Sequence, residues 1–266
     1  MRDNSLLRTL REGGRAAAAF ITVPDPFLAE VQAAAGLDAL IVDTEHAPMS
    51  PEQLQNVLIA SAHGPATVLV RVAANDDILI GQALDAGAEG VVVPGVSMRA
   101  ECLLAVRAAH YPPRGTRGFG PRRASRLHGD RADYLRRAND EVAVFVMIES
   151  VDAVHSIEEI VRVPGLSGIF IGTADLAVSM GHLDDLGNPA VDAAAQTVDA
   201  AAQTVGAAAL RSGLPFGVAT GTEEAAKRWY ERGAQLVTLG SDLQYIDAGI
   251  AATRAMRTRL LANTTD

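Results

Sequence analysis

The chain alternates short runs of β-branched and other apolar residues with longer segments of helical spacing, and this alternation constrains its fold most strongly. Eight runs are predicted to be strands: Ala16–Val23, Ala39–Asp43, Ala66–Val72, Gly90–Pro94, Val142–Glu149, Gly168–Gly172, Leu214–Ala219 and Gln235–Gly240. Segments such as Pro51–Ser61 and Glu223–Arg232 carry the apolar spacing of helices. Alternating strands and helices form parallel sheets, and eight strands in a chain of 266 residues favour a (β/α)8 TIM barrel of the α/β class.

The predicted strands remain apolar until their last one or two residues. This pattern is typical of strands that are buried on both faces of a parallel sheet. In a barrel, the carboxyl ends of the strands form the face where catalytic residues are placed. We therefore expect the functional residues among the polar side chains that close these strands.

Composition narrows the classes of partner. The net charge of -9 disfavours nucleic acids and anionic membranes, and an aromatic content of 4% disfavours a surface for base stacking. No stretch is apolar for the 18 or so residues of a membrane span, and the N-terminus lacks the order of a signal peptide. The single cysteine, Cys102, has no partner for an internal disulfide. We expect one domain over residues 1–266 and a cytoplasmic protein.

Three segments depart from the simple alternation. Residues 111–130 form a long connection rich in Pro, Gly and Arg, which is more often functional than idle. Residues 192–205 repeat the heptad DAAAQTV twice, too few copies for a coiled coil, and predict an Ala-rich helix. Residues 242–261 predict a final helix whose apolar residues could pack on a neighbouring subunit.

Two carboxylates, Glu149 and Asp175, follow the fifth and sixth predicted strands. Carboxylate oxygens are hard ligands suited to Mg²⁺ or Mn²⁺. Each carboxylate taken alone is more simply explained as a cap or first-turn acid of the next helix, with Ser150 and Thr173 as rival caps. The occurrence of both on successive strands favours a metal site.

Three further residues are candidates for the same site. His46 follows the second strand beside two acids and is a candidate proton shuttle, although a lone histidine in a loop is usually solvated. Arg71 ends the third strand and could bind an anion at the barrel mouth or pair with a nearby acid. Asp85 lies near the C-terminal end of a predicted helix, where the helix dipole disfavours a negative charge. Pairing of its carboxylate with an imidazole would compensate for this cost. The turn Gly172–Ala174 offers backbone N–H groups for a carboxylate.

With these residues assembled, the chain resembles the HpcH/HpaI aldolase family, and the resemblance covers nearly the whole sequence. Its motifs, in order, are D-x-E-H-A-P at 43–48, V-R-V at 70–72, L-D-A-G-A at 84–88, Y-P-P-x-G-x-R-G-x-G at 111–120, R-A-S-R at 123–126, I-E at 148–149 and I-G-x-A-D-L with S-M-G at 171–181. So many separate motifs in one order make the resemblance specific.

The resemblance implies a class II aldolase that releases pyruvate from a 4-hydroxy-2-oxo or 2-keto-3-deoxy acid through a metal-stabilised enolate. Glu149 and Asp175 would bind Mg²⁺, Mn²⁺ or Co²⁺, and Arg71 would hold the keto oxygen. The segment Gly172, Thr173, Ala174 and Asp175 would bind the pyruvate carboxylate. His46, made more basic by Asp85, would move the proton of the substrate hydroxyl. The resemblance also implies a homo-oligomer, a hexamer built as a trimer of dimers, in which the C-terminal helix docks on a partner.

This chain departs from the family pattern at positions that would contact the substrate. Met147 replaces a Gln two residues before Glu149, and a thioether cannot donate the hydrogen bond of an amide. Thr173 stands where the family has Pro, which leaves the backbone of the turn usable. Phe20 replaces a Trp near the end of the first strand. The predicted metal site is therefore retained while the substrate pocket is altered.

Beside the aldolase, two further hypotheses remain: another enzyme on the same scaffold, and a binding protein without activity. The same scaffold could serve a CoA-thioester lyase of the malyl- or citramalyl-CoA type, or an enzyme that diverts the enolate into another C–C bond. A CoA ligand would need a basic phosphate site, and only the arginines of residues 114–126 offer one. A catalytically silent protein that binds a small carboxylate is the third hypothesis, and Met147 is the feature that supports it.

Overall fold

In the computed structural model, which describes residues 2–127, 130–182 and 192–262, eight parallel strands close into a barrel in sequence order. The strands are β1 (Ala16–Ile21), β2 (Ala39–Asp43), β3 (Thr67–Arg71), β4 (Gly90–Val93), β5 (Ala143–Ile148), β6 (Gly168–Ile171), β7 (Phe216–Val218) and β8 (Leu236–Ser241). All eight predicted strands are confirmed, and their bounds differ from the predicted ones by no more than two residues. The prediction of a (β/α)8 barrel is confirmed.

Helices connect the strands and surround the barrel. They are α1 (Ser5–Arg11), α2 (Pro26–Ala33), α3 (Pro51–Ser61), α4 (Asp77–Asp85), α5 (Arg99–Ala109), α6 (Arg122–Leu127), α7 (Arg131–Glu141), α8 (Val151–His155), α9 (Ile157–Ile160), α10 (Thr173–Ser179), α11 (Asp192–Ser212), α12 (Glu223–Glu231) and α13 (Asp242–Ala262). Local sequence signals determine where some helices begin. In α3, Pro51 lies in the first turn, and Ser50 and Gln53 form a reciprocal capping box.

The apolar side chains of the strands divide between two separate clusters, and β7 contributes to the outer one alone. One cluster fills the barrel interior with alternate strand residues, among them Ile41, Leu69, Phe145 and Met147, and α1 closes its amino-terminal end. The other lies between the strands and the outer helices and takes the intervening residues. Because side chains alternate along a strand, the residues two positions beyond these interior residues also point into the barrel.

The structure refines two predictions about the connections and confirms two predicted helices. The long connection 111–130 contains one short helix, α6 (Arg122–Leu127); residues 128 and 129 lie outside the described residues. The helix after β6 begins at Thr173, so Thr173, Ala174 and Asp175 form its first turn instead of a turn that precedes it. The Ala-rich helix and the final helix are confirmed as α11 and α13.

No helix within the described part of the chain combines the length and the apolar character needed to cross a membrane.

Candidate active site

The alternation along the strands brings the predicted residues to one end of the barrel. Asp43, Arg71 and Glu149 lie two residues beyond Ile41, Leu69 and Met147, which are interior residues. All three therefore project into the carboxyl-terminal mouth of the barrel. Gly172 has the same relation to the interior residue Phe170.

Arg71 is held by Asp43, its register partner on the adjacent strand. The Arg71 Nε donates to Asp43 Oδ1 at 2.9 Å, and Nη2 donates to Oδ2 at 2.7 Å. Both side chains are buried, and the Arg71 guanidinium lies 5.1 Å from the centre of the Phe20 ring. Burial raises the pKa of Asp43, but the hydrogen bonds and charge of Arg71 outweigh it and hold the pKa below its ordinary value. Two of the three nitrogens of Arg71 are thus bound to Asp43, and Nη1 faces a second acid.

That acid is Glu45, which also contacts His46. Glu45 Oε2 lies 3.4 Å from Arg71 Nη1 and 3.7 Å from His46 Nε2. Burial raises the pKa of Glu45, while the charges of Arg71 and His46 oppose the rise. The His46 side chain is 57% exposed, so it reaches the solvent-filled side of the mouth. The imidazole therefore has a carboxylate beside it and free access to a ligand.

The two carboxylate oxygens of Glu149 have different surroundings. Its Oε1 accepts a hydrogen bond of 2.7 Å from the backbone N–H of Gly95, and its Oε2 is buried with no hydrogen-bond partner among the residues that the structure describes. Burial is the main cause that raises the pKa of Glu149; the Gly95 N–H opposes it, and the charges of Glu45 and Asp175 add to it. The rival explanation as a helix cap does not apply to Glu149, because Ser150 Oγ caps α8.

Asp175 lies in the first turn of α10 instead of at the end of a strand. Gly172 is the cap residue of this helix, and no side chain caps it. The backbone N–H groups of the first turn are therefore open to an external acceptor. The charge of Asp175 adds to the rise in the pKa of both Glu45 and Glu149. Gly172, the cap residue of α10, lies against the Glu149 carboxylate, so the first turn of α10 adjoins it.

The residues present fit a hard divalent cation. A buried carboxylate oxygen without a partner is costly unless a cation or a donor satisfies it, and Glu149 Oε2 is such an atom. Gly172 keeps the space beside it open, since a Cβ at this position would lie 3.1 Å from Glu149 Oε2. Within the described residues, no set of three or more His, Cys, Asp or Glu side chains is arranged to hold an ion. Two carboxylates, those of Glu149 and Asp175, would leave most coordination positions of a divalent cation to a ligand and water.

The expected pairing of Asp85 with His46 does not occur within the chain. Asp85 Oδ1 instead accepts a hydrogen bond of 2.7 Å from Arg117 Nη2, and this arginine side chain is almost fully buried. The guanidinium of Arg117 also stacks 4.6 Å from the ring centre of Tyr111. Asp85 therefore anchors the connection that follows α5, and Glu45 is the carboxylate that contacts His46.

Met147 forms part of the apolar floor beneath these polar groups. It is 2% exposed and pairs in register with Phe170 on β6. Phe170 meets the Phe20 ring edge to face at 6.5 Å between ring centres. A Cβ added to Gly172 would lie 3.0 Å from Met147 Cε, so Met147 fills the space directly beside the candidate metal pair.

Sequence reasoning missed Gly95, which binds Glu149 through its backbone. Every residue except proline carries a backbone N–H, so residue type alone gives no signal for such a contact. The available signal was a glycine just beyond a buried strand, and Gly95 does adopt a positive φ of 67°. The sequence also does not show which of the two acids near His46 binds Arg71 through two hydrogen bonds. The register between β2 and β3 decides this, because it places Asp43 beside Arg71.

Comparison with known proteins gives a consistent picture. The family model for HpcH/HpaI aldolase/citrate lyase matches residues 17–248. A 4-hydroxy-2-oxo-heptane-1,7-dioate aldolase from Klebsiella pneumoniae is 36% identical over 265 residues, covering 99% of this chain and 97% of that protein. A hydroxypyruvate/pyruvate aldolase from Sagittula stellata is 37% identical over 253 residues, covering 95% of this chain and 97% of that protein.

Two solved structures are similar to this chain over almost its whole length. An HpcH/HpaI aldolase/citrate lyase family protein from Burkholderia cenocepacia superimposes with a TM-score of 0.86 at 35% identity, over 97% of this chain and 99% of that one. A citrate synthase superimposes with a TM-score of 0.84 at 30% identity, over 97% and 98% of the two chains.

Proposed function

The chain belongs to the HpcH/HpaI aldolase/citrate lyase family, and from that membership we propose divalent-metal-dependent retro-aldol cleavage of a 4-hydroxy-2-oxo acid to pyruvate and an aldehyde. Relatives at 36% and 37% identity are aldolases, and this chain is a carbon–carbon lyase of that class. One observation carries the metal dependence: the buried, unpartnered Oε2 of Glu149 at the barrel mouth, on the side where Asp175 contributes a second carboxylate.

Glu149 and Asp175 would hold the cation, for which Mg²⁺, Mn²⁺ and Co²⁺ are the candidates. When bound, such a cation supplies a Lewis acid for the 2-oxo group of the substrate. Arg71 Nη1 would donate to the same oxygen, because Asp43 occupies the other two nitrogens of its guanidinium. The N–H groups of Thr173 and Ala174 in the first turn of α10 would hold the substrate carboxylate, with Gly172 giving close access.

Cleavage needs a base at the C4 hydroxyl and a stabilised charge at the oxo end. His46 would take the hydroxyl proton as the C3–C4 bond breaks, and the bonding electrons would move to C3 to give the aldehyde and the enolate of pyruvate. Glu45, 3.7 Å from His46 Nε2, would stabilise the imidazolium, and Arg71 would stabilise the enolate oxygen. Proton return to C3 completes pyruvate. Because Asp85 binds Arg117, we assign the support of His46 to Glu45.

The test is direct. Pyruvate should form from a 4-hydroxy-2-oxo acid, formation should stop with a chelator, and added Mg²⁺, Mn²⁺ or Co²⁺ should restore it. Glu149→Gln should lose at least about 10³-fold in kcat/KM, because loss of one anionic ligand weakens the binding of the cation that supplies the Lewis acid. Glu224→Gln, at an exposed position on α12, is the matched control and should keep its activity. Cleavage that ignores the chelator would contradict the metal assignment.

We also propose that the protein works as a homo-oligomer, and the family suggests a hexamer. The helix α13 is exposed along its length after Asp242, and its exposed residues include Leu243, Tyr245, Ile246 and Ile250. An apolar helix face of this kind is typical of a subunit interface. The CoA-thioester lyase and the silent binding protein are not favoured, since the relatives of 36% and 37% identity are aldolases.

A further inference from the structure

A cavity lies at the amino-terminal end of the barrel, opposite the mouth that holds Glu149 and Asp175. Its volume is about 820 Å³. It is bounded by α1, by the ends of α5, α7 and α11, and by the segments that lead into β5, β6, β7 and β8. Apolar side chains line much of its wall, namely Leu7, Leu10, Val106, Leu166, Leu210 and Leu214. This volume falls within the range of pockets that bind small organic ligands.

A buried histidine with an unused nitrogen lines this cavity. His110 is 4% exposed, and its Nδ1 lies 2.7 Å from the carbonyl oxygen of Val106. A carbonyl can only accept, so Nδ1 carries the proton and Nε2 is left as an acceptor. Burial is the main cause that lowers the pKa of His110; the hydrogen bond to Val106 opposes it, and the charges of Arg114 and Arg117 add to it. Nε2 makes no hydrogen bond to another described residue, so the ring offers an acceptor at the cavity wall to a donor on a ligand.

The glycine next to this ring keeps the wall of the cavity open. Gly165 adopts a positive φ of 89°, which other residues rarely adopt. A Cβ at this position would lie 2.9 Å from Val106 Cγ1 and 3.7 Å from His110 Cε1. A side chain at position 165 would therefore press on Val106 and contact the imidazole, in a backbone conformation that only glycine adopts readily.

Two arginines at the edge of the cavity supply positive charge. Arg11 donates to the backbone carbonyl of Asp140, and Arg114 pairs with the Asp140 carboxylate at 2.5 Å. The residues that line the cavity include these two guanidiniums and one carboxylate, that of Asp140, so the edge keeps a net positive charge. Ser167 accepts from the backbone N–H of Val144 and retains its hydroxyl proton for a ligand. The cavity thus combines a cationic edge, apolar walls and an inner hydrogen-bond acceptor.

We propose that this cavity binds a small hydroxy-substituted carboxylate with an apolar body. The carboxylate lies at the edge beside Arg114 and Arg11, the body lies against the leucines, and the hydroxyl donates to His110 Nε2. The site is separate from the candidate active site, because its walls are built from the amino-terminal ends of the strands. It is therefore suited to a ligand other than the substrate.

The experiment is calorimetric titration of the purified full-length protein with 4-hydroxybenzoate. We expect one saturable site per chain with a Kd below about 1 mM. Benzoate, which lacks the hydroxyl donor, and 4-hydroxybenzamide, which lacks the charge, should each bind at least about fivefold more weakly to the unmodified protein. This comparison needs no variant and so does not depend on how any substitution folds.

Variants locate the site. His110→Phe and Arg114→Gln should each weaken binding at least about fivefold, because each removes one polar contact. Arg136→Gln is the matched control, since Arg136 is also an exposed arginine paired with an aspartate, and it should leave Kd unchanged. Glu149→Gln should also leave Kd unchanged. Binding that is lost in Glu149→Gln but kept in His110→Phe would place the molecule in the barrel mouth and overturn the proposal, as would absence of saturable binding.

Discussion

Arg71 and Asp43 form a bidentate ion pair between adjacent strands, with donor–acceptor distances of 2.9 and 2.7 Å. The pair exists because β2 and β3 place these two residues in register and because both belong to the set of side chains that points into the barrel. It fixes two nitrogens of the guanidinium and directs the third toward the mouth. Arg71 is thus oriented before any substrate arrives, which reduces the entropy lost on binding.

Loss of the Asp43 charge should therefore impair cleavage more than it impairs folding. We expect Asp43→Asn to lower kcat/KM about 10- to 100-fold, because the arginine loses its bidentate anchor and misplaces its third nitrogen. Asp199→Asn is the matched control, since Asp199 forms a similar bidentate pair with Arg232, and it should keep its activity. Steady-state kinetics with thermal unfolding of both variants makes the comparison. Equal activity losses in the two variants would contradict the positioning of Arg71 by Asp43.

Gly172 is expected to tolerate no side chain. A Cβ there would lie 3.0 Å from Met147 Cε and 3.1 Å from Glu149 Oε2. We predict that Gly172→Ala weakens the affinity for Mn²⁺ at least about tenfold by displacing the Glu149 carboxylate. Gly81→Ala is the control, because a Cβ at this helical position meets nothing within 4 Å. Titration of the metal-free proteins with Mn²⁺ measures the effect, and equal affinities in the two variants would be the contrary result.

Met147 is expected to set the polarity beneath the candidate metal pair. Met147→Gln should lower the free energy of unfolding by about 1–3 kcal/mol, because it buries an amide among apolar groups. The same change should alter KM for the 2-oxo acid about threefold or more, because an amide donates hydrogen bonds and a thioether does not. Met147→Leu keeps the site apolar and should leave KM within about twofold of the unmodified value. Indistinguishable KM values for the Gln and Leu variants would remove Met147 from the substrate pocket.

His110 predicts a specific dependence of stability on pH. Burial lowers the pKa of His110 in the folded state below its ordinary value of 6.5, so the unfolded state binds more protons between the two values. The stabilising contribution is complete above about pH 6.5 and is lost as the pH falls through the folded-state pKa. Urea unfolding at pH 7.5 and 5.5 should show a smaller loss of stability for His110→Phe than for the unmodified protein. Equal losses would mean that the folded-state pKa of His110 is not lowered.

The final helix is expected to hold subunits together. Ile250 is 45% exposed on α13. We predict that Ile250→Asp lowers the molar mass measured by light scattering, because a charge in an apolar contact costs several kcal/mol once desolvated. Thr253→Ser, a small polar change on the same helix, should leave the mass unchanged. If the mass of Ile250→Asp also stays the same, α13 does not form the interface.

The sequence by itself determined the barrel and the direction in which its strand-end residues Arg71 and Glu149 point. Strands buried on both faces require continuous apolar runs, and the alternation of side chains along a strand determines that Arg71 and Glu149 point the same way as the interior residues before them. These are properties of short segments, so they can be read one strand at a time. Only the tertiary structure decided the partners. Asp85 binds Arg117 instead of His46, Glu149 receives the Gly95 N–H, and His110 faces a cavity at the far end of the barrel. These contacts join residues from different connections, and their geometry depends on strand register and helix packing, which no local pattern encodes.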